Sequence, residues 1–137
     1  MTACIYLIGC VRYVGAVTVV PGSTRAHLVL QFGTEKEGDE LPPVDAIGIE
    51  GGPFNIPQRY SAPHTYTWFI ARLANAPSSL GALRQVEYGV LPKGFRQSAP
   101  ALPLLPGRYV VEVRAGRERA KGAFVIDKHG VPSTSPP

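Results

Sequence analysis

The sequence predicts an all-β domain, an antiparallel two-sheet Greek-key sandwich of about seven strands. Residues 104–127 read as a complete β-hairpin, with a Pro-Gly turn before it and a polar, Gly-containing reversal at residues 115–118. The 137 residues include 14 prolines and 15 glycines but only 18% charged residues, as in a turn-rich β protein. Short apolar runs separated by turns recur along the chain, whose length suits a single core.

Turn residues divide the rest of the chain into further strands. A turn at Pro21–Thr24 joins the first two runs into a second hairpin. Residues 54–64 have no strand period and are predicted to form an exposed loop, either functional or poorly ordered. The Ser/Thr/Pro-rich residues 129–137 are predicted to be a disordered tail, so the sandwich domain occupies 11–128. The predicted strands are 11–20, 26–33, 44–50, 65–73, 84–90, 107–115 and 120–127.

Alternation of apolar and polar residues predicts which side chains form the core. In the strand 65–73, Tyr66, Trp68 and Ile70 fall on one face. Trp68, the only tryptophan, is expected to be a core anchor between two sheets, and the alternative is a platform on which a ligand stacks. In the last hairpin, the predicted buried residues are Tyr109, Val111, Val113, Phe124 and Ile126.

One segment resembles a feature of a known fold group. Residues Leu104 to Tyr109, Leu-Leu-Pro-Gly-Arg-Tyr, are similar to the segment that places a tyrosine corner in immunoglobulin-like and fibronectin-III-like domains. The resemblance implies an immunoglobulin-like sandwich. Tyr109 follows Gly107 by two positions, one fewer than is usual in that group, so the partner of its hydroxyl group stays open. The Cys-Trp-Cys pattern of antibody domains is absent.

The N-terminus contains a short resemblance to a second family. Leu7-Ile8-Gly9-Cys10 resembles the lipobox of bacterial lipoproteins, which implies that Cys10 is lipid-modified and becomes the new N-terminus. Residues 1–10 would then be a truncated signal segment, because no basic residue precedes the apolar stretch. A start site further upstream would supply both the missing charge and the missing length.

Other interpretations of the two cysteines remain open. Cys4 and Cys10 could be small buried hydrophobes in an N-terminal strand. A disulfide between them is disfavoured, because six residues of extended chain span roughly 20 Å, whereas a bridge needs Cα atoms within about 7 Å.

Charge is distributed unevenly along the chain. The net charge is +4, but residues 1–50 hold three basic and six acidic side chains while residues 51–137 hold eleven basic and four acidic ones. The favoured interpretation is an acidic and a basic solvated surface on one domain, and the alternative is a pair of edges that steer a partner. The acidic group of the first part contains Glu35, Glu37, Asp39, Glu40, Asp45 and Glu50.

No motif for catalysis, metal binding or cofactor binding is found. His27, His64 and His129 are far apart in sequence and lack the spacing of metal ligands. The chain has no nucleophile elbow and no glycine-rich phosphate loop between a strand and a helix. We therefore expect no enzyme activity, no metal and no cofactor.

The sequence thus favours a non-catalytic binding, scaffolding or accessory subunit at the bacterial cell envelope, in the periplasm or at the cell surface. The expected partner is another envelope protein, with the membrane contacted through a lipid on Cys10. One alternative is a carbohydrate-binding module that uses exposed aromatic side chains. A second is a small basic β-barrel that binds nucleic acid. This alternative is less favoured because Tyr109 and Phe124 fall on the same strand faces as Val111 and Ile126, so their rings are expected in the core and not on the surface where bases stack. The candidate partner-binding or ligand-binding residues are Arg59, Tyr60, His64, Tyr66 and Trp68.

Overall fold

The computed structural model describes residues 12–34, 41–54 and 66–136. They contain two short 3₁₀ helices, Gly52–Phe54 and Ser78–Gly81, and nine strands. The strands are β1 (Arg12–Val19), β2 (Val29–Thr34), β3 (Ala46–Gly51), β4 (Trp68–Arg72), β5 (Gln85–Glu87), β6 (Phe95–Ala99), β7 (Gly107–Ala115), β8 (Glu118–Ile126) and β9 (Pro132–Ser135).

The strands form one curled, mixed sheet. Their order is β5-β2-β1-β8-β7-β3-β4-β6, and β9 pairs with β8 beside β1. Every pairing is antiparallel except that of β1 with β8, which is parallel. The first strand therefore joins the β5-β2 part of the sheet to the β8-β7-β3-β4-β6 part. The curl brings the inner faces of the two parts together over a common core.

The all-β class is confirmed, and so are both predicted hairpins. In the β7–β8 hairpin, Tyr109 pairs with Phe124 and Ala115 with Glu118, so the reversal lies at Gly116-Arg117 as predicted. The five side chains predicted to be buried in this hairpin are at most 1% exposed. Alternation is reliable here because both strands are long and one of their faces packs against the core.

Several finer predictions are corrected. The described residues hold nine strands instead of about seven, and the parallel β1–β8 pairing makes the sheet mixed. Residues 95–99 form the edge strand β6, which ends just before Pro100. Part of the predicted disordered tail is ordered, since Pro132–Ser135 forms β9. A turn at residues 128–130 brings the chain back alongside β8. The low apolar content of residues 129–137 gave no indication that they pair with a strand.

The hydroxyl group of Tyr109 bonds to the backbone of Leu105, four residues upstream. It donates to the carbonyl oxygen of Leu105 at 2.7 Å and accepts from the Leu105 amide at 3.0 Å. Burial raises the pKa of Tyr109 although the Leu105 bond lowers it, so the group stays a neutral donor. Gly52 packs against this ring, where a Cβ atom would lie only 2.4 Å from the phenol, at a φ of +65°.

Asp45 joins three separate parts of the chain. Its Oδ1 accepts from Nη2 of Arg72 at 2.7 Å, and its Oδ2 accepts from the Gly116 amide at 2.7 Å. Arg72 also donates from Nε to the carbonyl of Val44. This acid, predicted as one of a solvated group, thus connects the entry to β3, the end of β4 and the β7–β8 turn.

Asp127 holds the turn between β8 and β9. Its Oδ1 accepts from the amides of His129 at 2.8 Å and Val131 at 2.9 Å. The bond from Val131, followed by those from His129 and Gly130 and the charge of His129, lowers the pKa of Asp127.

We expect β9 to loosen in acid because of this carboxylate. A folded-state pKa below the unfolded value means that the stabilisation is complete above the unfolded pKa and is lost as pH falls through the folded one. Hydrogen exchange of the β9 amides should therefore be faster in Asp127→Asn than in wild type at about pH 5, and the difference should shrink as the pH falls through the folded-state pKa. A difference that persists unchanged at low pH would contradict this role.

Candidate functional site

The structure brings together only part of the predicted set of site residues. Cys10, Arg59, Tyr60 and His64 lie outside the described residues, so their predicted roles stay predictions. Tyr66 and Trp68 are described, and they lie on opposite sides of the sheet.

Trp68 is a core residue, as the favoured interpretation predicted. Its side chain is 0% exposed. The indole contacts Tyr88 edge-on with 5.3 Å between ring centroids, and its Nε1 donates to Oε1 of Gln97 at 3.2 Å. The alternative role as a stacking platform is wrong, because the ring presents no surface to solvent.

Tyr66 does not share a face with Trp68, contrary to the prediction from alternation. The strand begins only at Trp68, and the preceding Thr67 is itself buried, with its amide bonded to the carbonyl of Ile49 at 2.7 Å. Tyr66 therefore lies on the outer face, where its ring packs against Phe69 with centroids 4.6 Å apart. Period-2 reasoning failed because it was extended two residues beyond the regular strand.

A groove lies on the outer face of β3, β7 and β8, with a volume of about 270 Å³. We call it the outer-face groove. Strand register builds it, because Phe69, Gly48, Glu112 and Lys121 are directly opposed on four adjacent strands and form one transverse row. The residues that line the groove are Gly48, Glu50, Tyr66, Val110, Glu112, Arg114 and Lys121.

Gly48 forms the floor of the groove. A Cβ atom at this position would come within 3.0 Å of the Tyr66 ring and 3.1 Å of the Phe69 ring. The absence of a side chain lets both rings lie close to the β3 backbone. Any larger residue would push Tyr66 away from its present position.

Arg114 is held in place at one side of the groove. Its Nε donates to Oε1 of Glu112 at 3.1 Å, and its guanidinium carbon lies 5.8 Å from the centre of the Phe69 ring. Burial alone would lower the pKa of Arg114, but the bonds and charge interactions with Glu112 and Tyr66 outweigh it, so the pKa is raised. Arg119 also approaches Oε1 of Glu112, at 3.9 Å. The guanidinium is thus a permanent, positioned cation whose side chain is 43% exposed.

A second hollow of about 300 Å³ extends the groove along β3 and β7. It shares Glu50 and Val110 with the first and adds Gly51 and Arg108. The combined surface is elongated and carries three basic side chains, two acidic ones and one half-buried phenol ring. Such a surface can offer hydrogen bonds, charge and a ring face to a polar ligand.

Sequence reasoning identified only part of this surface. Alternation correctly placed Arg108, Glu112 and Arg114 opposite the buried residues of β7. It could not indicate that Gly48 and Glu50 lie beside them, because the β3–β7 pairing joins segments that are distant in sequence. Gly48, between Ile47 and Ile49 inside a predicted strand, was the one available signal.

Three observations on the described residues concern contacts with nucleic acid, metal ions and membranes. Tyr109 and Phe124 stack on each other inside the core, as their parity predicted, and cannot stack on nucleic-acid bases. Within the described ranges, no three His, Cys, Asp or Glu residues are grouped as a metal site would require. Neither 3₁₀ helix of the described chain is long or apolar enough to span a membrane.

The described residues form an all-β domain with a polar groove on the outer face of its sheet. Comparison with known protein families, with curated proteins and with solved structures found no match to this chain. Function must therefore be argued from the geometry of the domain itself.

Proposed function

We propose that this protein is a non-catalytic binding module and that the outer-face groove is its contact surface. The observation that carries the proposal is the elongated groove, in which Arg114 is positioned by Glu112, Phe69 and Tyr66. Glu112 is engaged by Arg114 and Arg119 and so is poorly suited to act as a catalytic acid or base. Arginine and aromatic side chains such as tyrosine are enriched at surfaces that recognise other molecules.

The fold is an immunoglobulin-like sandwich in this proposal. In that group one sheet contains strands A, B, E and D and the other contains C, F and G. The orders β5-β2-β1 and β8-β7-β3 correspond to E-B-A and G-F-C. The hydrogen bonds of Tyr109 to Leu105 also support this assignment. The outer-face groove would then lie on the outer side of the second sheet.

The module acts outside the cytoplasm, attached to a bacterial membrane through Cys10. This part of the proposal is supported by the lipobox-like Leu7–Cys10. Cleavage before Cys10 would also leave intact every described strand, since β1 begins at Arg12. Mass spectrometry of the protein from its native cells should show a chain that starts at an acylated Cys10. An unmodified chain that retains residues 1–9 would refute the anchor and the location that depends on it.

The binding role is tested by co-sedimentation of the purified full chain with isolated bacterial cell envelopes. We expect the wild type to sediment with the envelopes and Arg114→Ala and Tyr66→Ala to bind about tenfold more weakly, because each removes a central contact of the groove. Arg117→Ala is the matched control, since it deletes the same charge at the exposed β7–β8 turn. Sedimentation no greater than without envelopes, or equal losses in all three variants, would refute the proposal.

A further inference from the structure

We propose that the ligand of the outer-face groove is an acidic oligosaccharide, a chain of sugar rings that carry carboxylate groups. This inference rests on the proposed function and gives its partner a chemical class. Three features of the groove carry it: a positioned guanidinium, a supported phenol ring and an elongated shape that extends along β3 and β7.

Arg114 supplies the contact for the carboxylate. A guanidinium has five N–H donors in a planar fork, and the bonds to Glu112 and Tyr66 engage only part of them. Arginine binds carboxylates through two parallel hydrogen bonds, and a guanidinium fixed in advance loses less entropy on binding. Lys121, which lies beside Glu112 on the neighbouring strand, and Arg108, which lines the second hollow, add positive charge, so basic groups outnumber the carboxylates of Glu50 and Glu112.

Tyr66 supplies the contact for the sugar ring. Its ring is half-buried and supported from beneath by Phe69 and by the backbone at Gly48. A phenol ring offers an apolar face for the C–H groups of a pyranose and a hydroxyl group at its edge. Glu50 and Glu112 line the same groove and place carboxylate oxygens where sugar hydroxyl groups can donate to them.

The shape of the groove favours a chain over a single sugar. The two hollows are about 270 and 300 Å³ in volume and share Glu50 and Val110, so consecutive rings can occupy them in sequence. The arrangement disfavours an extended peptide, which gains its affinity by adding to a free strand edge. Here β3 and β7 pair with each other beneath the groove, and ligand contacts must come from side chains.

The test is a calorimetric titration of the full chain with trigalacturonic acid and with its fully methyl-esterified form. The ester has the same rings without the negative charges. We expect the acid to bind at least about tenfold more tightly than the ester, because only the acid can form the charge-assisted pair with Arg114. Equal affinity for the two compounds, or no binding of the acid, would overturn the inference.

Variants localise the binding to the groove. Arg114→Ala should weaken binding of the acid by about tenfold or more, Arg114→Lys should recover only part of it, and Arg117→Ala should bind like the wild type. Amide spectra establish that each variant is folded. Equal losses for Arg114→Ala and Arg117→Ala would indicate unspecific charge attraction and would also overturn the inference. Failure here while the envelope co-sedimentation still depends on Arg114 would leave the proposed function standing with another ligand.

Discussion

Replacing Trp68 with alanine is expected to lower the free energy of unfolding by about 3–5 kcal/mol. The indole is fully buried, contacts Tyr88 and lies in the core where both parts of the sheet meet. Truncation would remove the largest buried side chain and leave a cavity that the paired strands around it can fill only partly. Since domains are stabilised by about 5–15 kcal/mol, this loss would be a substantial fraction of the total stability.

Chemical denaturation followed by circular dichroism measures this effect. Leu91→Ala is the control, because it also truncates a large apolar side chain, but one that is 44% exposed, and should change stability by less than about 0.5 kcal/mol. Trp68→Phe should fall between the two, since it keeps an apolar ring and loses the bond to Gln97. An alanine variant as stable as the Leu91 control would mean that the indole is not in the core.

Replacing Gly122 with alanine is expected to destabilise the domain by about 3 kcal/mol, the upper part of the usual range for overpacking. A Cβ atom at Gly122 would lie 2.2 Å from the carbonyl oxygen of Val17 and 2.8 Å from its Cβ. Both obstacles belong to β1, which pairs with β8 in parallel and also with β2. Room for the methyl group would require β1 to move, and β1 joins the two parts of the sheet.

Gly33→Ala is the matched control for this prediction. Gly33 also lies in a strand that pairs with β1, but a Cβ atom there would have no neighbour within 4 Å. The same substitution should therefore be neutral or stabilise slightly, by up to about 1 kcal/mol, because alanine restricts the unfolded chain. Thermal unfolding of both variants measures the difference. Similar melting temperatures would be inconsistent with the described β1–β8 pairing.

The parts of the fold that could be predicted from the sequence depend on local alternation. The last hairpin is the clearest example, because Tyr109, Val111 and Val113 repeat every second residue and a short glycine turn follows. Trp68 was also predicted correctly as a core residue. In each case the strand is regular and one of its faces packs against the core. The side chains that alternate in the sequence are therefore the ones that are buried in the structure.

The groove could not be predicted in the same way. Alternation shows which residues of β7 face outward, but not that β3 lies beside them or that Gly48 leaves space for Tyr66. Tyr66 itself was assigned to the wrong face, because the strand begins only two residues later. Asp45 gave no local signal of its role, since its partners Arg72 and Gly116 belong to other strands and turns.

The sequence by itself thus determined the all-β class, the two hairpins, the side chains that β7 and β8 bury and the role of the single tryptophan. The spacing of hydrophobic residues and the positions of turn residues indicate these features, and both can be read from short stretches of sequence. Only the tertiary structure decided the strand order, the parallel pairing of β1, the ninth strand and the outer-face groove. These features depend on which distant segments of the chain lie side by side. Many different strand pairings are compatible with the same alternation of apolar and polar residues, and only the packing of the whole core selects one of them.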